Sequence, residues 1–220
     1  IYGGWIPQHG DGAVADENQP DIADKYRAFG TDSDLEYLDL LNGGLCFPRK
    51  LPKLKRIAKV QFVPKSVDKL RTICMEPATL MFYQQGYRRS IVKYINSHKI
   101  LRGRIAFDKA YLNAALACYG SVDGSLATID LSNASDSVSV RLIRQWFAHT
   151  PLYDCLMATR STHYRLDDVV KPSAKFAPMG SALCFPIECL CFAAMCEATI
   201  RASGESPYRS AYRVYGDDII

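Results

Sequence analysis

Hydrophobic and polar positions change spacing several times along the chain, and each change marks an element. From Ala78 to about Ser97 apolar side chains recur at Leu80, Tyr83, Tyr87, Ile91 and Ile95, steps that stack them on one helical face. Residues 108–118 predict a second helix, and residues 182–202 a third that follows the turn Pro178-Met179-Gly180-Ser181. A further helix is expected around Asp32–Leu41. Gln61–Val63 and Arg71–Met75 predict short strands on either side of the loop Pro64–Leu70. Leu126–Leu131 is a short apolar strand that delivers Asp130 near its end. A polar turn, Ser132-Asn133-Ala134-Ser135, leads into a helix whose Val138, Leu142, Ile143, Trp146 and Phe147 share a face. Ser132, Asn133 and Ser135 are each suited to cap it. Residues 150–177 predict loop and short strand. Tyr212–Tyr215 and Asp218–Ile220 are strand-like runs with Gly216-Asp217 between them, the pattern of a type II′ hairpin. Helices and short strands in this order predict an α+β fold.

Composition adds a real core: 48% of the 220 residues are hydrophobic, which excludes a disordered chain. The longest apolar stretch, Ala182 to Met195, is interrupted by Glu188 and is too short to span a bilayer, so it reads as a buried helix. Eight cysteines form no CxxC pair, and four of them lie in the apolar run 182–196. They predict reduced, buried thiols rather than a zinc site.

The net charge of +4 hides an asymmetry. Residues 1–39 hold nine acids and two bases, whereas residues 49–71 hold nine bases and one acid. Such a basic segment suits an anionic partner, nucleic acid or nucleotide phosphate, and equally suits a solvated face. Its first part, with Arg49, Lys50, Lys53, Lys55, Arg56 and Lys59, reads as an extended arm that could bind RNA. Its second part sets Lys65, Lys69 and Arg71 around a hairpin, where cations could hold a triphosphate.

Asp130 at a strand end and Asp217 with Asp218 at a hairpin tip are the candidate chemistry. If the two strands are neighbours, the three carboxylates converge. Oxygen donors without histidine or cysteine favour Mg²⁺ or Mn²⁺, and two such ions can clamp both oxygens of a phosphoryl transfer. An isolated Asp-Asp in a turn is also ordinary turn chemistry, so the strand pairing decides between the two.

Taken together, Ile129-Asp130-Leu131-Ser132-Asn133-Ala134-Ser135-Asp136-Ser137, Pro178-Met179-Gly180-Ser181 and Tyr215-Gly216-Asp217-Asp218 resemble motifs A, B and C of RNA-directed RNA polymerases. Val63 to Pro77 (VPKSVDKLRTICMEP) is similar to the motif F block of the leviviruses, the positive-strand RNA bacteriophages. The resemblance covers residues 58–220 in the order F, A, B, C. It implies a right-hand polymerase, with residues 1–107 as N-terminal region and fingers and residues 108–220 as palm. Residues 150–177 would be a fingers insertion. Asp130, Asp217 and Asp218, with the backbone carbonyl of Leu131, would hold two Mg²⁺ ions. Lys65, Lys69, Arg71, Ser135, Asp136, Gly180 and Ser181 would meet the incoming nucleotide. Many viral polymerases place a sugar-sensing Asp five residues after the first; here Ser135 holds that place and Asp136 follows, so either could serve.

The resemblance further implies template RNA and nucleoside triphosphates as substrates, the cytoplasm of a bacterial host as location, and translation elongation factors Tu and Ts as partners. A start without methionine and a last residue two places after Asp218 lead to the expectation of a partial chain, without its thumb and inactive alone. A reverse transcriptase is a neighbouring alternative, against which Gly216 counts. A catalytically silent RNA-binding module, using the basic arm with Tyr83, Tyr87 and Tyr94, is another.

Overall fold

The apolar face that runs from Leu80 to Ile95 has to be covered, and the fold is arranged around covering it. In the computed structural model, which describes residues 7–16, 21–28, 56–206 and 212–220, those positions lie on the helix Ala78–Ser97. That helix is α2; the first, α1, is Ile22–Ala28. The others are α3 (Ala110–Asp123), α4 (Ala134–Ser137), α5 (Val140–Phe147), α6 (Pro151–Thr159) and α7 (Cys184–Ala202). The helix expected at Asp32–Leu41 and the arm residues Arg49, Lys50, Lys53 and Lys55 lie outside the described residues. Tyr83, Tyr87, Ile91 and Ile95 of α2 share one core with Ile143 of α5, Leu156 of α6 and Ile187 of α7. Burying such side chains stabilises by about 1.5–3 kcal/mol each.

Two sheets flank this core. One has the order β2-β1-β4-β5, built from β1 (Ile57–Pro64), β2 (Leu70–Met75), β4 (His163–Leu166) and β5 (Val169–Pro172). The β1–β2 and β4–β5 pairs are antiparallel, and β4 joins β1 in parallel, with Ile57 opposite His163. The other sheet has the order β3-β7-β6, from β3 (Ile129–Asp130), β6 (Val214–Tyr215) and β7 (Asp218–Ile219). The fold is therefore mixed α+β.

Three expectations are corrected. Residues 150–177 are not mainly loop: Pro151 opens α6 at its first position, where its missing N–H costs nothing, and β4–β5 follow. The single helix expected after Ser132–Ser135 is two, because Val138 and Val140 exchange backbone hydrogen bonds with Phe176 and Ala174. Asn133, in the left-handed region (φ 55°), precedes α4 without a side-chain cap, whereas Ser139 caps α5 by accepting from the Leu142 N–H at 3.1 Å. The strand Leu126–Leu131 shortens to Ile129–Asp130, both exposed.

A buried polar network ties the elements together. Gln84 of α2, fully buried, donates to the Thr159 carbonyl at 2.8 Å. Its oxygen accepts from the Ser181 hydroxyl (2.9 Å) and the Ala182 N–H (3.1 Å). Glu76, after β2, accepts from the Ser161 hydroxyl, and burial pushes its carboxyl up to about 7. Arg160 donates to the carbonyls of Ser173, Lys175 and Phe176, folding the return from β5 onto α6. Among the described residues no cysteines are paired, and no helix is long and apolar enough to cross a membrane.

The Glu76 carboxyl binds its proton more tightly folded than unfolded, so its contribution is full below about pH 4.5 and is lost as pH rises through about 7. We expect about 3 kcal/mol of stability to fade across that window. Glu76→Gln, which keeps a neutral partner for Ser161, should flatten the dependence. Urea midpoints at pH 5 and pH 8 for both proteins measure it, and equal slopes would show that Glu76 titrates normally.

Candidate active site

Backbone pairing brings the two carboxylate-bearing segments together. β3 and β7 are antiparallel with Asp130 directly opposite Asp218, and β6 and β7 are antiparallel with Tyr215 opposite Asp218. Gly216 and Asp217 are then the two turn residues. Gly216 has φ 61° and Asp217 has no positive φ, the signature of a type II′ turn. A side chain at Gly216 would also meet the Phe185 ring at 2.8 Å. All three aspartates are exposed, and among the described residues none of them makes an ion pair. Partial burial, then the charges of Asp217 and Asp130, raise the Asp218 carboxyl above the usual range. Asp218 thus feels the charges of both Asp217 and Asp130, and among the described residues no ion pair offsets them.

Helix α7 lies beneath the hairpin and holds it. The Phe185 ring stacks edge-on against Tyr215, centroids 5.0 Å apart. The Gly216 N–H donates to the Cys189 sulfur at 3.1 Å, and burial holds that thiol protonated, up to about 12. Glu188, buried, has its carboxyl pushed up to about 7 by burial and then by the nearby Asp217 and Asp136. From the other side, Asn113 of α3 donates to the Asp218 carbonyl at 3.2 Å. The sequence pattern marks the cysteines only as buried apolar side chains and singles out neither Phe185 nor Asn113. The one available signal was Glu188, a lone acid in an apolar helix.

The residues expected near a nucleotide fall into two groups. Asp136 pairs with Lys175 at 2.6 Å, both half-exposed, and the Ser135 hydroxyl sits beside the Cys184 thiol. Ser181 is buried, with its hydroxyl committed to Gln84 and the Leu183 N–H, so it anchors its loop rather than presenting itself to a ligand. Gly180 has φ 115°, and a Cβ there would collide with the Cys74 carbonyl and lie 2.9 Å from the Ile73 side chain. The Cys74 N–H also donates to the Met179 carbonyl at 2.7 Å, so this loop is docked on β2. Lys65, Lys69 and Arg71 are exposed around the β1–β2 turn, and no ion pair joins them to the carboxylates among the described residues.

The arm divides likewise. Lys59 is exposed on β1, but the Arg56 guanidinium donates to the carbonyls of Met157 and Arg160, so it fastens β1 to α6 and is not available to RNA.

The donor set suits a hard divalent ion: oxygen ligands only, on adjoining strands and the turn between β6 and β7, with no ion pair among the described residues. As they stand, the described side chains include no group of three or more His, Cys, Asp or Glu already gathered as a metal cage. What the pairing supplies is the alignment of the backbone that carries them.

Comparison with known proteins says what the chain is similar to. The family model "RNA replicase, beta-chain" matches residues 27–220. The RNA-directed RNA polymerase beta chain of Escherichia phage MS2 is 38% identical over 159 residues, 72% of this chain and 27% of its own length. That of Enterobacteria phage GA is 35% identical over 159 residues, 72% of this chain and 28% of its own. The RNA-directed RNA polymerase subunit beta of Escherichia virus Qbeta is 32% identical over 191 residues, 84% of this chain and 30% of its own. The chain thus spans under a third of the length of these relatives.

Gly180→Ala should be among the most damaging small substitutions. It adds strain of about 1–3 kcal/mol from φ alone, before the collision with β2 is counted. A fall in thermal midpoint with loss of the Cys74–Met179 hydrogen bond, read by amide exchange, is the expected outcome. An unchanged midpoint would show that the loop can leave β2 freely.

Proposed function

The chain belongs to the RNA replicase beta-chain family, and from that premise we propose that it carries the catalytic centre of an RNA-directed RNA polymerase. The observation that carries this reading is the register that sets Asp130 opposite Asp218, with Asp217 in the adjoining turn. In this reading the β3-β7-β6 sheet belongs to the palm and the β1–β2 hairpin to the fingers. The substrates are a template RNA and nucleoside triphosphates. The 3′-hydroxyl oxygen of the growing strand bonds to the α-phosphorus, the bond to the bridging oxygen of the β-phosphate breaks, and pyrophosphate leaves with that electron pair.

Asp130, Asp217, Asp218 and the Leu131 carbonyl would hold two Mg²⁺ ions, or Mn²⁺. Bound there, the metal would lower the pKa of the attacking hydroxyl and offset the charge of the leaving pyrophosphate. Lys65, Lys69 and Arg71 would bind the triphosphate by charge-assisted hydrogen bonds. Ser135 and Asp136 would read the ribose hydroxyls, Asp136 after exchanging its pairing with Lys175. The Gly180 loop would seat the base pair while Ser181 holds the loop down from inside. The bacterial cytoplasm as location, and elongation factors Tu and Ts as partners, belong to the same proposal.

Full-length polypeptide bearing this segment should incorporate nucleotides on an RNA template in a Mg²⁺-dependent way. Asp217→Asn or Asp130→Asn should reduce turnover by at least about a thousandfold with an unchanged thermal midpoint, and chelation should do the same to the parent. Equal incorporation by parent and variant would put the chemistry elsewhere.

Lys65→Ala should raise the KM for nucleotide by about tenfold and spare the fold, since the side chain is exposed. Unchanged KM and kcat would return that turn to a solvated face.

A further inference from the structure

The ion pair between Lys175 and Asp136 joins two segments that are held together without it. The Val140 N–H donates to the Ala174 carbonyl at 2.9 Å and the Phe176 N–H to the Val138 carbonyl at 2.8 Å, with Ser139 opposite Lys175. The Lys175 carbonyl is pinned as well, by the Arg160 guanidinium at 3.0 Å and the Ser173 hydroxyl at 3.2 Å. The backbone of Lys175 is therefore fixed, and its side chain alone can change partner. With 46% of the Lys175 side chain and 41% of the Asp136 side chain exposed, water and salt screen the pair and it holds weakly. Its position is specific. On one side lies β2: burial and then Glu76 push the Cys74 thiol up, and Lys175 pulls against them. The register places Cys74 on the same hairpin face as Val60, Phe62 and Thr72, a face with no charge of its own. On the other side lie acids: after burial, Asp217 and then Asp136 push up the Glu188 carboxyl. Lys175 is thus a cation set between the β1–β2 hairpin and the carboxylates, and it lies outside every block matched to a polymerase motif.

We propose that Lys175 is a ligand for the phosphates of the incoming nucleotide, held by Asp136 until the nucleotide arrives. The proposal rests on the polymerase reading above. A nucleoside triphosphate carries a partner for each member of the pair. The Lys175 ammonium turns to a phosphate oxygen, and the Asp136 carboxylate accepts from a ribose hydroxyl. One screened ion pair is exchanged for two charge-assisted interactions, so the exchange favours the bound nucleotide. The pair also answers what holds Asp136 in the empty site, where Asp217 and Glu188 offer it only acids. A purely structural pair would be expected where the backbone lacks other ties, and residues 174–176 have them.

The test is single-nucleotide incorporation by the full-length polypeptide on an RNA template, with inorganic tripolyphosphate as a competing probe for the phosphate contact alone. Lys175→Gln should raise the KM for ribonucleoside and deoxyribonucleoside triphosphates alike, by about tenfold, with kcat little changed. It should weaken inhibition by tripolyphosphate by the same factor. Asp136→Asn should instead lower the preference for ribose over deoxyribose and leave tripolyphosphate inhibition at least as strong. Lys175→Arg, which keeps the cation, should retain most of the parental affinity and guards against a fold defect in the Gln variant. The charge swap Lys175→Asp with Asp136→Lys should stay impaired, because the carboxylate then faces the phosphates. A swap that restores the parental KM would show that the pair only joins its two segments, and would overturn the proposal. So would a Lys175→Gln variant with unchanged KM and unchanged tripolyphosphate inhibition. If in that case the parent incorporates nucleotide and Asp217→Asn does not, the polymerase reading stands without Lys175. A parent that incorporates no nucleotide would overturn both.

Discussion

A carboxamide sealed from water must find its hydrogen bonds inside the protein, because leaving a buried donor or acceptor unpaired costs about 1–3 kcal/mol. Gln84 meets that constraint with Thr159, Ser181 and Ala182, and Glu76 joins the same network with Ser161. Those partners come from the end of α6, the loop before α7, and the exit from β2. Their positions are thereby set relative to one another. Everything above them inherits the arrangement: α7 starts where Ser181 and Ala182 are held, and the hairpin carrying Asp217 rests on α7 through Phe185 and Cys189.

This hierarchy separates rigidity from charge. The buried acids beneath are held neutral, since burial keeps Glu76 and Glu188 protonated up to about pH 7 and keeps the Cys189 thiol intact. The carboxylates above are exposed, ionic and mutually repelling. Anionic side chains could not be placed this close in the interior without a large desolvation cost. At the surface of a firmly held hairpin they can wait for a cation. The same logic explains why Gly180 and Gly216 stand where they do. Each lies where the chain passes so close to a neighbour, Cys74 or Phe185, that no Cβ fits.

The relatives add a family but no residue assignments. The site therefore stands on pairing and contact. Asp130 and Asp218 face each other because β3 and β7 are in register. The expectation for Ser181 changed because its hydroxyl is turned inward, and that for Arg56 because its guanidinium is occupied by two carbonyls.

By itself the sequence determined what depends on neighbours a few residues away. The period of α2, the two strands around Lys65–Lys69, the type II′ turn at Gly216-Asp217 and the identity of the three aspartates were all legible there. Side-chain spacing and backbone preference act over one or two turns, so they leave a local record. Tertiary structure alone decided the break at Val138–Ser139, where residues 174–176 take the backbone bonds a continuous helix would have used. It also decided the parallel joining of β4 to β1 and the burial of Ser181 and Arg160. Each of these depends on which distant backbone or side chain arrives opposite, and no local pattern encodes that.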